Sequence, residues 1–223
     1  MLLSLRIYET DPDAKPRPRN PFVDDVVGRV SAGMMQGRRP VALSTFRFCS
    51  DDPAVTDRVA ELYGGTPEDY DENTSHVITD AVTVDAIVDG PDALRSSLIL
   101  FGPSGPIHHC DGVEFLEPPE DRGTPCGCPP SLRERKDLAR SGRGPKPHIE
   151  LRFRLHDDPE LGYFVLRTSS WSTVAELPAA QDTLEEINGP AKVRLVMEHV
   201  EYTTKAGRAV SYHYPALTVI GAA

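Results

Sequence analysis

Cys110, Cys126 and Cys128, three of the four cysteines in the chain, fall within nineteen residues, in His108-His109-Cys110-Asp111-Gly112 and Cys126-Gly127-Cys128-Pro129. Thiolates gathered on turns can share one ion, and zinc takes four ligands in a tetrahedron of sulfur and imidazole nitrogen. Such a centre closes the intervening chain into a loop. Glycines beside the cysteines let the backbone fold around an ion, and Pro129 stiffens the exit. The spacing C-x15-C-x-C supplies three thiolates and leaves the fourth ligand open. Alternate side chains of a strand share a face, so His108 points with Cys110 and His109 points away. His108 is the first choice for the fourth ligand, with His109, His148 and Cys49 as alternatives. Ordinary thiols and a disulfide are the competing readings.

A chain of 223 residues is long enough for one large domain or two small ones. No run approaches the length needed to cross a bilayer, and Met1-Leu2-Leu3-Ser4-Leu5-Arg6 lacks the basic region and apolar segment of a secretory signal. The expectation is a protein of the cytoplasm, where clustered cysteines hold metal more readily than they pair.

The net charge of −10 is unevenly spread. Residues 46–125 carry a net −13 and residues 126–156 a net +5. An acidic middle repels phosphates and argues against a chain that coats DNA. The basic stretch from Arg133 to Lys146 is the one phosphate-facing candidate, with a solvated helix and tail as its alternative.

Leu3 to Tyr8 reads as a strand, followed by an arm over residues 10–21 whose four prolines exclude a helix interior. Val41 to Phe48 is a second strand. A helix begins with Asp51 or Asp52 as its cap and Pro53 in the first turn, shows Val55, Val59 and Leu62 on one face, and ends at Gly64-Gly65. Val77–Ile78, Val82–Val88 and Leu94–Phe101 are apolar segments of a sheet. Ser131 and Glu134 form a capping box for a basic helix over about 131–141. Leu151, Phe153 and Leu155 share a strand face, and Tyr163 to Arg167 is the next strand. A helix starts near Pro178 and stops at Gly189-Pro190. Val193, Leu195 and Met197 then alternate, with Val210, Tyr212 and Tyr214 expected opposite them across Lys205-Ala206-Gly207.

The expected fold class is α+β, a mixed and mostly antiparallel sheet with a few helices and a small zinc-knuckle insertion. Residues 1–145 read as an N-terminal α+β lobe with the arm (10–21) and the knuckle (108–128). Residues 146–223 read as a C-terminal β-rich lobe packed on it.

Catalytic signatures do not emerge. There is no Walker-type or G-x-G-x-x-G phosphate loop, no G-x-S-x-G elbow and no H-E-x-x-H. Ser169-Ser170-Trp171 reads as a core anchor at a capped helix start. A ligand set of four protein groups leaves no position for substrate, the mark of structural metal. The expectation is a protein that is not an enzyme and has no catalytic residue.

Several strings carry a resemblance: Thr10-Asp11-Pro12-Asp13-Ala14-Lys15-Pro16-Arg17-Pro18-Arg19, Asp24-Asp25-Val26-Val27-Gly28-Arg29, Cys110-Asp111-Gly112-Val113-Glu114, Pro125-Cys126-Gly127-Cys128-Pro129, and Asp158-Pro159-Glu160-Leu161-Gly162 followed by Ser170-Trp171. Together they resemble the recombination directionality factors of actinophage large serine integrases, the phiC31 and phiBT1 type, over nearly the whole chain. The resemblance implies an accessory protein that binds the coiled-coil and zinc-domain region of its integrase on attachment-site DNA. It implies a switch from integration to prophage excision, attL with attR, and inhibition of attP with attB. Little or no DNA binding by the factor alone and no membrane association are expected. Wider relatives often carry a cysteine just before the strand corresponding to Leu151–Leu155; here the stretch reads Gly144-Pro145-Lys146-Pro147-His148, which keeps His148 among the candidate ligands. Arg133, Arg135, Lys136 and Arg140 are the candidate partner-binding residues. A zinc-containing phage nucleic-acid-binding or replication accessory protein, stacking bases on Trp171 or Tyr212, is the alternative function.

Overall fold

The computed structural model describes residues 20, 22, 25–37, 39–204 and 207–223. The strand expected at Leu3–Tyr8 lies outside the described residues, as does the arm apart from Asn20. The chain forms an α+β fold on one mixed sheet. Its strands are β1 (Gly28–Gln36), β2 (Arg39–Ser50), β3 (Pro67–Asp71), β4 (Thr74–Ile78), β5 (Thr83–Val88), β6 (Leu94–Gly102), β7 (Gly105–Cys110), β8 (Phe115–Glu117), β9 (Lys146–Leu155), β10 (Tyr163–Thr168), β11 (Ala191–Thr203) and β12 (Ala209–Ala222). The helices are α1 (Pro53–Tyr63), α2 (Leu132–Arg140), α3 (Trp171–Val174) and α4 (Leu177–Ile187).

The main path runs β12-β11-β5-β9-β10-β1-β2-β4-β3, and β6, β7 and β8 branch from β9. Among the described residues, only β1 with β10 is parallel, with Val30 opposite Leu166; the other pairs are antiparallel. Segments on either side of residue 145 share this sheet. Strand β9 receives β6 along its first half and β5 at its end, with β10 along the opposite edge.

Local signals account for the helices. Asp52 accepts from the Ala54 N–H at 3.0 Å and Pro53 fills the first turn of α1, where its missing N–H costs nothing. Gly64, at φ 76°, ends that helix in a conformation costly for other residues. The buried face is Val55, Val59 and Tyr63, with Leu62 only half-buried. Tyr63 takes that place because its hydroxyl reaches Asp157 at 3.0 Å, satisfying the polar end of a buried ring. In α4 the stop is Asn188 at φ 47°, just before Gly189-Pro190.

Side chains of alternate strand positions meet in the core: Phe48, Leu151, Phe153, Leu155, Phe164 and Leu195 are all nearly inaccessible. Phe164 meets Phe48 edge-on with ring centroids 5.4 Å apart and stacks beside Phe153 at 6.0 Å. The closing hairpin β11–β12 differs from the expected register. Val193, Leu195 and Met197 face Val219, Leu217 and Pro215, while Val210, Tyr212 and Tyr214 face Tyr202, Val200 and Glu198. Thr203 pairs with Ala209 at the closed end of the hairpin, so the residues that follow pair in step from there. The apolar alternation of β11 therefore finds its partners farther along β12.

Candidate metal centre

Hairpin β6–β7 places the first two groups. Leu98 opposes Cys110 and Leu100 opposes His108, so His108 and Cys110 emerge on one face of β7. His109 points to the other face, with Nδ1 3.5 Å from the Glu117 carboxylate. A tight loop then turns the chain. The Asp111 carboxylate accepts from the N–H groups of Glu114 at 2.8 Å and Val113 at 2.7 Å, and these bonds hold its pKa below the usual carboxylate range. Gly112, at φ 102°, carries the reversal. The returning chain is pinned where the Cys126 N–H donates to the Val113 carbonyl at 2.9 Å. Gly127, at φ 70°, then lets Cys128 swing toward Cys110.

His108, Cys110, Cys126 and Cys128 are brought together by this geometry, with one ligand atom from each lying within 4.8 Å of all the others. His108 Nε2 is 3.2 Å from Cys110 Sγ and 3.4 Å from Cys128 Sγ, and the two sulfurs are 3.8 Å apart. A tetrahedral ion with sulfur at about 2.3 Å and nitrogen at about 2.0 Å would set sulfur–sulfur edges near ~3.8 Å and sulfur–nitrogen edges near ~3.5 Å. The residues fit such an ion. Of the other candidates, His148 instead faces Glu150, with 3.5 Å between Nε2 and the carboxylate, and Cys49 lies on β2 opposite His76.

Burial disfavours ionisation of the Cys110 and Cys128 sulfurs, and a cation beside them would offset it. Burial pushes the Cys110 thiol up to about 12 and also raises Cys128, while burial and then neighbouring His109 lower His108. A neutral imidazole is the form that coordinates, and a bound divalent ion stabilises thiolates that burial alone would keep protonated.

A small core of its own surrounds the cluster. Leu98, Cys110 and Cys126 are buried together, with Phe115, Cys128 and Trp171 packed against them. Arg135, from α2, closes the outside: its guanidinium donates to the carbonyls of Pro129 and Gly112. Spacing alone did not reveal that role. Arg135 belongs to the knuckle, whereas Lys136 and Arg140, one turn apart, face a separate recess beside Trp171. Arg133 is exposed. Trp171 anchors α3 as expected, where Ser170 Oγ accepts from the N–H groups of Ser172 and Thr173, and it adds a contact with the cysteine core.

The family described as Gp3-like, recombination directionality factor-like, matches residues 27–220. The chain belongs to that family. The match spans the sheet from Val27 into β12 and includes the whole knuckle. No solved structure matches the chain. The printed family description associates the chain with recombination directionality factors. Among the described residues, no helix is long and apolar enough to cross a membrane.

Proposed function

We propose that this protein is a phage directionality factor that binds a large serine integrase and turns it from integration to prophage excision. In this reading it favours recombination of attL with attR, inhibits attP with attB, and performs no chemistry itself. It acts in the cytoplasm of the bacterial host on integrase bound to attachment-site DNA, with the coiled-coil and zinc-domain region as the contact. The observation that carries the reading is the family match over residues 27–220.

Zinc is the ion proposed for His108, Cys110, Cys126 and Cys128. Three thiolates and one imidazole suit a borderline-soft ion in a closed structural site. The ion would tie β7 to the segment before α2. Rigidity is useful for a switch, because a preformed surface loses little ordering entropy when it docks. Direction control then needs differential binding of only a few kcal/mol between alternative synaptic arrangements.

An excision assay tests the proposal. Purified protein added to phiC31-type integrase should convert attL and attR substrates to products and suppress joining of attP to attB. Absence of both effects with integrases of this type sinks the reading. A gel shift without integrase separates the nucleic-acid-binding alternative, which requires salt-sensitive DNA binding by the factor alone.

A further inference from the structure

A recess of about 480 Å³ lies where α2, the start of β9, α3 and β12 meet. Lys136, Arg140 and Lys146 line it together with Trp171, Tyr212 and His213. Among the described residues, no carboxylate lines it. That composition is unusual for a chain of net charge −10. Arg140 pairs with Asp137 of its own helix at 3.1 Å, both largely exposed, an arrangement that water and salt weaken readily. Lys136 holds its ammonium 5.9 Å from the centre of the Trp171 ring. The recess is built on firm supports: Thr173 donates to the Pro215 carbonyl at 2.8 Å, and Trp171 rests against the cysteine core.

We infer that this recess is a docking site for an acidic peptide segment, and that the segment belongs to the recombinase; the second part rests on the function proposed above. Charge complementarity carries the inference. Lys136, Arg140 and Lys146 line the recess together with Trp171, and the exposed Asp137 partner of Arg140 is readily displaced, so aspartate or glutamate side chains can pair with these cations while apolar parts of the peptide lie beside the rings. Nucleic acid fits less well. Single strands need a track of ring faces for successive bases, whereas here Trp171 stands beside Lys136 and the Tyr212 hydroxyl is tied to Ser172 Oγ at 3.0 Å. The chain as a whole carries a net charge of −10, which repels an extended phosphate backbone at long range.

Trp171 is the only tryptophan, so its emission reports on occupancy directly. The full-length protein is titrated with hexaglutamate, with a dodecathymidylate strand and, separately, with phiC31-type integrase. Hexaglutamate should shift the Trp171 emission saturably and weaken by about tenfold as salt rises from about 50 to about 300 mM. Lys136→Glu with Arg140→Glu should abolish that shift and weaken integrase binding by about tenfold or more. If the double variant misfolds, Lys146→Glu, an exposed change at the start of β9, should weaken both in the same direction. The inference is overturned if hexaglutamate gives no saturable shift, if charge reversal leaves its binding intact, or if the oligonucleotide binds more tightly at equal salt. Loss of hexaglutamate binding with integrase affinity unchanged overturns the recombinase as occupant while leaving the partnership standing. Wild-type protein that takes hexaglutamate but binds no integrase supports the acidic-peptide site and sinks the partnership.

Discussion

Arg135 donates from Nη2 to the main-chain carbonyl of Gly112 at 2.7 Å, while its Nε donates to the Pro129 carbonyl. One guanidinium thus ties the first arm of the knuckle to the second, and both arms to α2. Its planar fork can span two carbonyls at once, which a lysine ammonium on a flexible stem does poorly. Arg135→Lys should therefore lower stability by about 1–2 kcal/mol and weaken metal retention, because charged hydrogen bonds to half-buried carbonyls are lost. Urea denaturation at fixed zinc, with a chelator competition alongside, checks this. An unchanged midpoint and unchanged retention would show that the clamp is idle.

His108 and His109 are neighbours with opposite fates, one facing the sulfurs and the other facing Glu117. His108→Ala should reduce zinc affinity by about tenfold or more, whereas His109→Ala should leave one ion per chain. Elemental analysis after gel filtration decides between them. Equal metal loss in both variants would contradict the ligand assignment.

Because the cysteine core is separate from the main core, losing the ion should unfold the protein locally before globally. Cys110→Ser, or chelation of the wild type, should change the Trp171 emission and speed amide exchange over residues 108–128. Exchange in β9, β10 and β11 should stay slow. Hydrogen exchange read by mass spectrometry tests the pattern, and simultaneous loss of both regions would refute it.

Inside the sheet, Arg47 Nε donates to His76 Nδ1 at 2.6 Å, which requires an unprotonated nitrogen. Burial, and then the Arg47 charge, push the His76 pKa below its usual value, against a smaller opposing pull from Glu68. The unfolded chain takes up this proton near pH ~6.5, while the folded chain resists it to lower pH. Stability from this residue is thus complete above about pH 6.5 and is lost as pH falls toward the folded pKa, by at most about 1.4 kcal/mol per pH unit. His76→Gln should flatten the thermal-midpoint profile below about pH 6.5. An unchanged slope would exclude His76 as its source.

Phe164 is fully buried between Phe48 and Phe153, on the strand that makes the parallel pairing with β1. Phe164→Ala should cost about 3–5 kcal/mol through lost transfer energy and a residual cavity. Chemical denaturation measures it directly. A loss below about 1 kcal/mol would mean that the aromatic cluster collapses to fill the space.

Features set by near neighbours could be read from the chain. Asp52 with Pro53, Ser131 ahead of α2, and Gly64 after α1 act within one helical turn, so spacing carries their geometry. The alternation of Leu151, Phe153 and Leu155 likewise settles which face is buried. The same two-residue period separates His108 from His109 on β7. Register and strand neighbours were less legible. Val193, Leu195 and Met197 announce a strand face, yet nothing in them specifies Val219, Leu217 and Pro215 as partners.

By itself, then, the sequence determined helices α1, α2 and α4, the strand faces of β9 and β11, the three-cysteine cluster and the side of β7 that could serve it, but not strands β1, β3 and β8. Only tertiary structure decided that Leu98 meets Cys110, that β1 runs parallel to β10, and that Arg135 turns inward while Lys136 and Arg140 face the recess beside Trp171. The physical reason is range. Caps and alternation arise from contacts a few residues apart, but these pairings join distant segments, and their stability depends on packing available only once the whole sheet has assembled.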